Sequence, residues 1–213
     1  MAARLITGLD AARIAANLRE VQDEVGPAVS VLAATKYVPL EEIGTLAEAG
    51  ITLAGENRAQ DLVAKQERHP ELTWDFIGQL QSRKVRQIVP HVRCIHSVAS
   101  DSALEQLARH GTPQTRILVE VNVAEEPGKA GVLPRDLDAF LDRAAAGPCP
   151  VTGLMTMPPL AREPDDSRRW FAALRELAHA RGLEELSMGT TQDYAVAARE
   201  GATIVRIGSR LYT

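Results

Sequence analysis

Cysteine is nearly absent: the 213 residues hold only Cys94 and Cys149, with no CxxC pair or other metal-ligand spacing. That excludes a disulfide framework and makes a reducing compartment, the cytoplasm, the simplest expectation. The five histidines, at 69, 91, 96, 110 and 179, are scattered without an HxxxH pair, so no metal centre is predicted. No apolar signal core opens the sequence and no segment is long enough to span a bilayer, so no membrane attachment is expected. Positive charge is not in excess either. The formal net charge is -4, which argues against nucleic acid or an anionic membrane as partner, and the basic stretch Arg83-Lys84-Val85-Arg86 reads as a solvated helix face. Linkers, low-complexity segments and a GxGxxG phosphate loop are also lacking.

What remains is an ordinary globular composition, 45% hydrophobic and 24% charged, with enough apolar material for a core. Short apolar runs alternate with longer amphipathic stretches. Strands are predicted at 28–35, 51–54, 73–77, 92–97, 115–122, 150–155, 185–188 and 203–207. Helical patterns lie between them. One covers 10–25, with Asp10 as its cap and Ile14, Leu18, Val21 and Val25 on one face. Others start near Pro39 and end at Gly50, or cover 56–67, 81–88 and 101–110, the last capped by Asp101. Pro134 opens a helix to Ala146, Asp165 and Asp166 begin another, and Thr191 begins the last. Eight strands, each but the last followed by a helical segment, predict an α/β fold in which a parallel sheet closes into a single (β/α)8 TIM-type barrel, one domain over residues 1–213.

In such barrels the chemistry gathers where strands end. Lys36 closes the run Val29-Ser30-Val31-Leu32-Ala33-Ala34-Thr35-Lys36, in which nothing else ionises. Partial burial there would favour a neutral amine able to form a Schiff base with a carbonyl; taken alone, such a lysine more often snorkels to solvent. Asn57 and Asn122 stand at other strand ends, as turn residues or as mouth residues, and Met155 reads as packing at a pocket wall. His96 reads as a satisfied core histidine.

The loops after strands seven and eight are a frequent phosphate site in these barrels. Ser187, Thr190 and Thr191 offer hydroxyls there, Gly189 and Gly208 allow close backbone approach, and the helix start near Thr191 adds its dipole. Asp193 would repel a phosphate if it faced inward. Arg206, inside the apolar strand Ile204-Val205-Arg206-Ile207, needs an acceptor: a carboxylate such as Glu120 or Glu56, or a ligand ring nitrogen. An amine, a phosphate cradle and a buried arginine on one barrel face together describe a pyridoxal 5'-phosphate site.

Eight segments in order carry a resemblance: Ala33-Ala34-Thr35-Lys36, Gly55-Glu56-Asn57-Arg58, Phe76-Ile77-Gly78-Gln79-Leu80-Gln81, Ile95-His96-Ser97-Val98, Val121-Asn122 through Glu126, Lys129 and Gly131, Gly153-Leu154-Met155-Thr156, Leu186-Ser187-Met188-Gly189 and Val205-Arg206-Ile207-Gly208. On these the chain resembles the pyridoxal phosphate homeostasis proteins, the family related to the N-terminal barrel of alanine racemase. It departs from their pattern at Thr190-Thr191, where Met-Ser is common, at Ala54 and at Arg83. The resemblance implies that Lys36 carries the cofactor as an internal aldimine, with Asn57 beside it. It further implies Arg206 at the pyridine nitrogen and Ser187, Thr191 and Gly208 at the phosphate.

Catalysis with this cofactor normally uses a protonated ring nitrogen as electron sink, and a charged arginine there keeps the nitrogen unprotonated. In the racemase relatives a tyrosine from a second domain supplies the other acid–base group. Here the sequence stops six residues after Ile207, and Tyr37, Tyr194 and Tyr212 match no such position. The expectation is therefore a monomeric cofactor carrier that stores, buffers or delivers pyridoxal phosphate to dependent apoenzymes. A weak amino-acid racemase on the same cofactor, or a Schiff-base aldolase using Lys36 directly on a sugar phosphate, are the competing readings.

Overall fold

The computed structural model describes residues 5–213. Eight short strands close into a barrel in sequence order, every neighbouring pair parallel: β1 (Ser30–Ala34), β2 (Leu53–Glu56), β3 (Thr73–Phe76), β4 (Cys94–Val98), β5 (Arg116–Glu120), β6 (Val151–Met155), β7 (Glu185–Thr190) and β8 (Ile204–Ile207). The register of β1 with β8, Ser30 against Ile204 through Ala33 against Ile207, closes the ring. All eight predicted strands are present. The first is shorter than its apolar run, so Lys36 lies in the turn beyond Ala34.

Side chains alternate across each strand. The outward set, including Ala33, Ala54, Trp74, Phe76, Ile95, Val119, Leu154, Val205 and Ile207, packs under the helices in the main hydrophobic core. The inward set forms separate small clusters, Leu32 with Leu53 and Ile204, and Cys94 with Leu118 and Met155. Leu32 and Leu118 are fully buried, and each such leucine contributes about 1.5–3 kcal/mol of transfer free energy. Below this apolar layer, ion pairs of Arg93 with Asp75 and Arg116 with Glu185 occupy the N-terminal end of the barrel.

The helices are α1 (Ala11–Val25), α2 (Ile43–Glu48), α3 (Ala59–Arg68), α4 (Val85–Ile88), α5 (Asp101–His110), α6 (Leu137–Ala145), α7 (Arg168–His179), α8 (Tyr194–Arg199) and α9 (Ser209–Tyr212). Asp10 caps α1 as expected, its carboxylate accepting from Arg13 N at 2.7 Å. The cap of α5 is Ser100, one residue before Asp101; the serine hydroxyl accepts from Ala103 N. Two differences bear on the site. α8 begins at Tyr194, not Thr191, because Asp193 folds the chain back on Thr190 first. A one-turn helix, α9, follows β8 and was not foreseen. No helix among the described residues is long and apolar enough to cross a membrane.

Candidate functional site

A cavity of about 520 Å³ opens at the C-terminal end of the strands. Lys36, Asn57, Met155, Thr190, Thr191, Arg206 and Gly208 border it. Seven of the nine residues predicted from the sequence are thus brought together from β1, β2, β6, β7, β8 and the turns after them. Ser187 and Gly189 do not border it. Ser187 points inward but lies sealed beneath the floor, its hydroxyl bonded to His96 and Arg206. Gly189 faces away, at φ +89° against α8, where an added Cβ would stand 2.5 Å from that of Ala197.

Lys36 is exposed at the rim, so the burial anticipated for it is not there. Its Nζ stands 4.9 Å from the centroid of the Tyr37 ring. Among the described residues no carboxylate pairs with it. The turn that carries it is anchored from below by Lys65, Glu56 and Tyr212. Lys65, on α3, donates to Thr35 O at 2.9 Å and to Glu56 Oε1 at 2.5 Å. Thr35 Oγ1 donates to the same carboxylate oxygen at 3.0 Å, while Glu56 Oε2 accepts from Asn57 N and Arg58 N. Tyr212, brought in by α9, donates its hydroxyl to Ala34 O at 3.1 Å. Burial raises this phenol well above its ordinary range, and Glu56 adds to the shift. Lys65 lies with Ala59 and Leu62 on the buried face of α3.

Arg206 is 6% exposed, at the cavity floor. Neither Glu120 nor Glu56 bonds it. Nη1 donates to Ser187 O at 2.8 Å and Ser187 Oγ at 2.5 Å; Nη2 donates to Thr156 O at 2.9 Å and to the Met157 sulfur. Among the described residues no acceptor takes Nε–H. Burial pulls the guanidinium down to about 10, against the opposing pull of Glu120 and Asp193, so it stays charged near neutral pH. Glu120 borders the cavity, and burial pushes its carboxyl up although Arg206 and Lys129 oppose the shift.

At the β7–β8 end, Thr191 Oγ1 accepts from Gly208 N at 3.1 Å, which leaves its O–H as a donor beside Gly208. Thr190 is less available: its N–H and hydroxyl both go to Asp193 Oδ1, at 2.8 and 3.2 Å. Asp193 therefore does not face the cavity; its other oxygen accepts from Ser167 at 2.8 Å. Among the described residues nothing donates to the buried Asn57 Oδ1, and a buried acceptor of this kind costs free energy until something donates to it.

The sequence pattern of the alanine racemase N-terminal domain matches residues 9–213. A pyridoxal phosphate homeostasis protein of Aquifex aeolicus is 38% identical over 194 residues, 85% of this chain and 85% of that protein. A solved structure of PipY from Synechococcus elongatus with PLP bound aligns at TM-score 0.84 and 34% identity, covering 94% of this chain and 100% of that one. An alanine racemase from Corynebacterium glutamicum shares the fold at TM-score 0.77 and 17% identity, with 96% of this chain covering 61% of the racemase.

Proposed function

This chain belongs to the alanine racemase N-terminal domain family, among the pyridoxal phosphate homeostasis proteins, and from that membership we propose that it binds pyridoxal 5'-phosphate and holds it for storage, buffering or delivery. The observation that carries the reading is a convergence of unspent groups. Lys36 Nζ, Arg206 Nε–H and the orphaned Asn57 Oδ1 belong to residues that share one cavity, and Thr191 and Gly208 stand at its β7–β8 end. They fit this group: an amine for an aldehyde, a fixed cation for an unprotonated ring nitrogen, and small hydroxyl and glycine positions for a phosphate.

Bound, the cofactor supplies an aldehyde that joins a primary amine and a ring that withdraws electrons. In this reading Lys36 is the amine, kept at the rim by the Lys65 and Tyr212 bonds to the two preceding carbonyls. Arg206, charged and held by neutral acceptors, keeps the ring nitrogen free of a proton and so weakens the electron sink. The tyrosines support carriage over turnover. Tyr212 spends its hydroxyl on Ala34 O and Tyr194 on Glu24, so neither phenol is free for a second proton transfer, and the Tyr37 ring lies beside Lys36 itself. The protein works as a cytoplasmic monomer handing the cofactor to dependent apoenzymes, without nucleic acid or membrane.

The test is the visible spectrum of the purified protein with and without pyridoxal phosphate, followed by borohydride reduction and mapping of the adduct. A yellow species fixed to Lys36 is expected. Lys36→Ala should lose it while melting at the wild-type temperature, because the side chain is exposed. A colourless protein without adduct would sink the reading, and exchange of an amino acid's α-proton would replace the carrier with an enzyme.

A further inference from the structure

A chain of hydrogen bonds runs through the closed part of the barrel and ends on Arg206. Arg93 Nε and Nη2 donate to Asp75 Oδ1 and Oδ2 at 3.0 and 2.5 Å. His96 Nε2 lies 3.0 Å from Asp75 Oδ2, and His96 Nδ1 lies 2.9 Å from Ser187 Oγ. Arg206 Nη1 reaches the same hydroxyl at 2.5 Å. Asp75, His96 and Ser187 have no exposed surface, so every proton along the path must be placed inside the protein.

That requirement gives each link one direction. An ionised Asp75 only accepts, so His96 carries its proton on Nε2. A second proton on the ring is opposed by burial, outweighing the pull of Asp75, so Nδ1 is a bare acceptor. The Ser187 hydroxyl then donates to Nδ1, and its lone pairs turn to Arg206 Nη1. With Ser187 O and Thr156 O fixing the rest of the guanidinium plane, Nε–H is the donor left over, on a residue that borders the cavity.

We infer that His96 is a positioning residue. Held as the Nε2–H tautomer by Asp75 and acting through Ser187, it aims Arg206 Nε–H at the unprotonated ring nitrogen of an aromatic heterocyclic aldehyde phosphate. The inference rests on the cavity being a pyridoxal phosphate site, and it adds a prediction that reading alone does not make. The relay acts only on the ring nitrogen, so damage to it must matter only for ligands that have one.

The experiment compares dissociation constants of the full-length protein for pyridoxal 5'-phosphate and for its deaza analogue, in which CH replaces the ring nitrogen. Failure of the wild-type protein to bind pyridoxal phosphate would remove the site itself, and the relay with it. Given binding, wild type should prefer pyridoxal phosphate. His96→Gln keeps an amide near Asp75 but offers no acceptor at the Nδ1 position, and should cut that preference about tenfold, the scale of one charge-assisted hydrogen bond. His96→Asn returns an acceptor near Nδ1 and should restore most of it. If His96→Gln does not fold, Ser187→Ala breaks the next link and should cut the preference likewise. A role confined to packing predicts equal weakening of both ligands. Equal weakening, or an unchanged preference in His96→Gln and Ser187→Ala, overturns the inference.

Discussion

Lys65→Met removes the ammonium that lies 2.5 Å from Glu56 Oε1 and 2.9 Å from Thr35 O, with both charged side chains all but excluded from water. The methionine keeps most of the volume, so the cost is mainly that of an uncompensated carboxylate, about 3–5 kcal/mol for a broken buried pair. Three bonds to Glu56 survive, from Thr35 Oγ1, Asn57 N and Arg58 N, which points to the lower end of that range. For a chain of this length a loss of about 3 kcal/mol corresponds to a melting temperature lower by roughly 6–12 °C. Urea unfolding gives the free energy, and the companion variants Glu56→Gln and Glu56→Gln/Lys65→Met complete a double-mutant cycle. The double variant should be more stable than Lys65→Met alone, because no charge is stranded. A loss under about 1 kcal/mol, or a double variant as unstable as the two single losses added together, would refute the argument.

Two further outcomes follow from the geometry. Gly189→Ala should destabilise the fold by about 1–3 kcal/mol, since φ is +89° and the new Cβ would meet Ala197 at 2.5 Å. Gly208→Ala has no neighbour nearer than 3.9 Å, so it should melt like wild type yet bind pyridoxal phosphate more weakly by intruding beside Thr191. Stability should also fall in acid in a defined order. Burial holds the His96 pKa below 6.5, so the unfolded chain binds more protons as pH drops through that value, and folding weakens. Asp75 follows lower down. Burial alone would raise it, but bonds from His96 and Arg93 prevail and hold it below 3.8, so its contribution is complete above 3.8 and lost as pH falls further. His96→Asn should remove the first decline in a pH series of urea midpoints and keep the second; retention of the first assigns it elsewhere.

The barrel was legible because each strand announces itself locally, through a run of apolar residues between turn formers. Boundaries were less so. β2 was expected at 51–54 and runs Leu53–Glu56, because a glycine and a glutamate inside a strand look like its end. Gly55 is there because Leu32 leaves no room for a Cβ, coming within 2.3 Å of one. Glu56 is tolerated because Lys65 meets it, a pairing made by the return of α3 and invisible in any one segment. Position at the cavity was legible where a residue's type and its place at a strand end sufficed, as with Lys36 and Arg206, and less so where it depends on a neighbour's orientation. Ser187 offers a hydroxyl in either case; only the fold turns it toward Arg206 and away from the cavity. Tyr212 is 178 residues from the carbonyl it holds, a distance no spacing rule spans.

The apolar plug of Leu32, Leu53, Cys94, Leu118 and Ile204 beneath the cavity, with the ion pairs below it, makes the chamber a blind alley. Whatever enters must leave by the same door. Loading and unloading therefore cannot proceed at once from opposite ends, as they can in a channel. Any molecule that enters passes the rim where Lys36 and Tyr37 stand. One opening therefore serves both filling and emptying of the chamber.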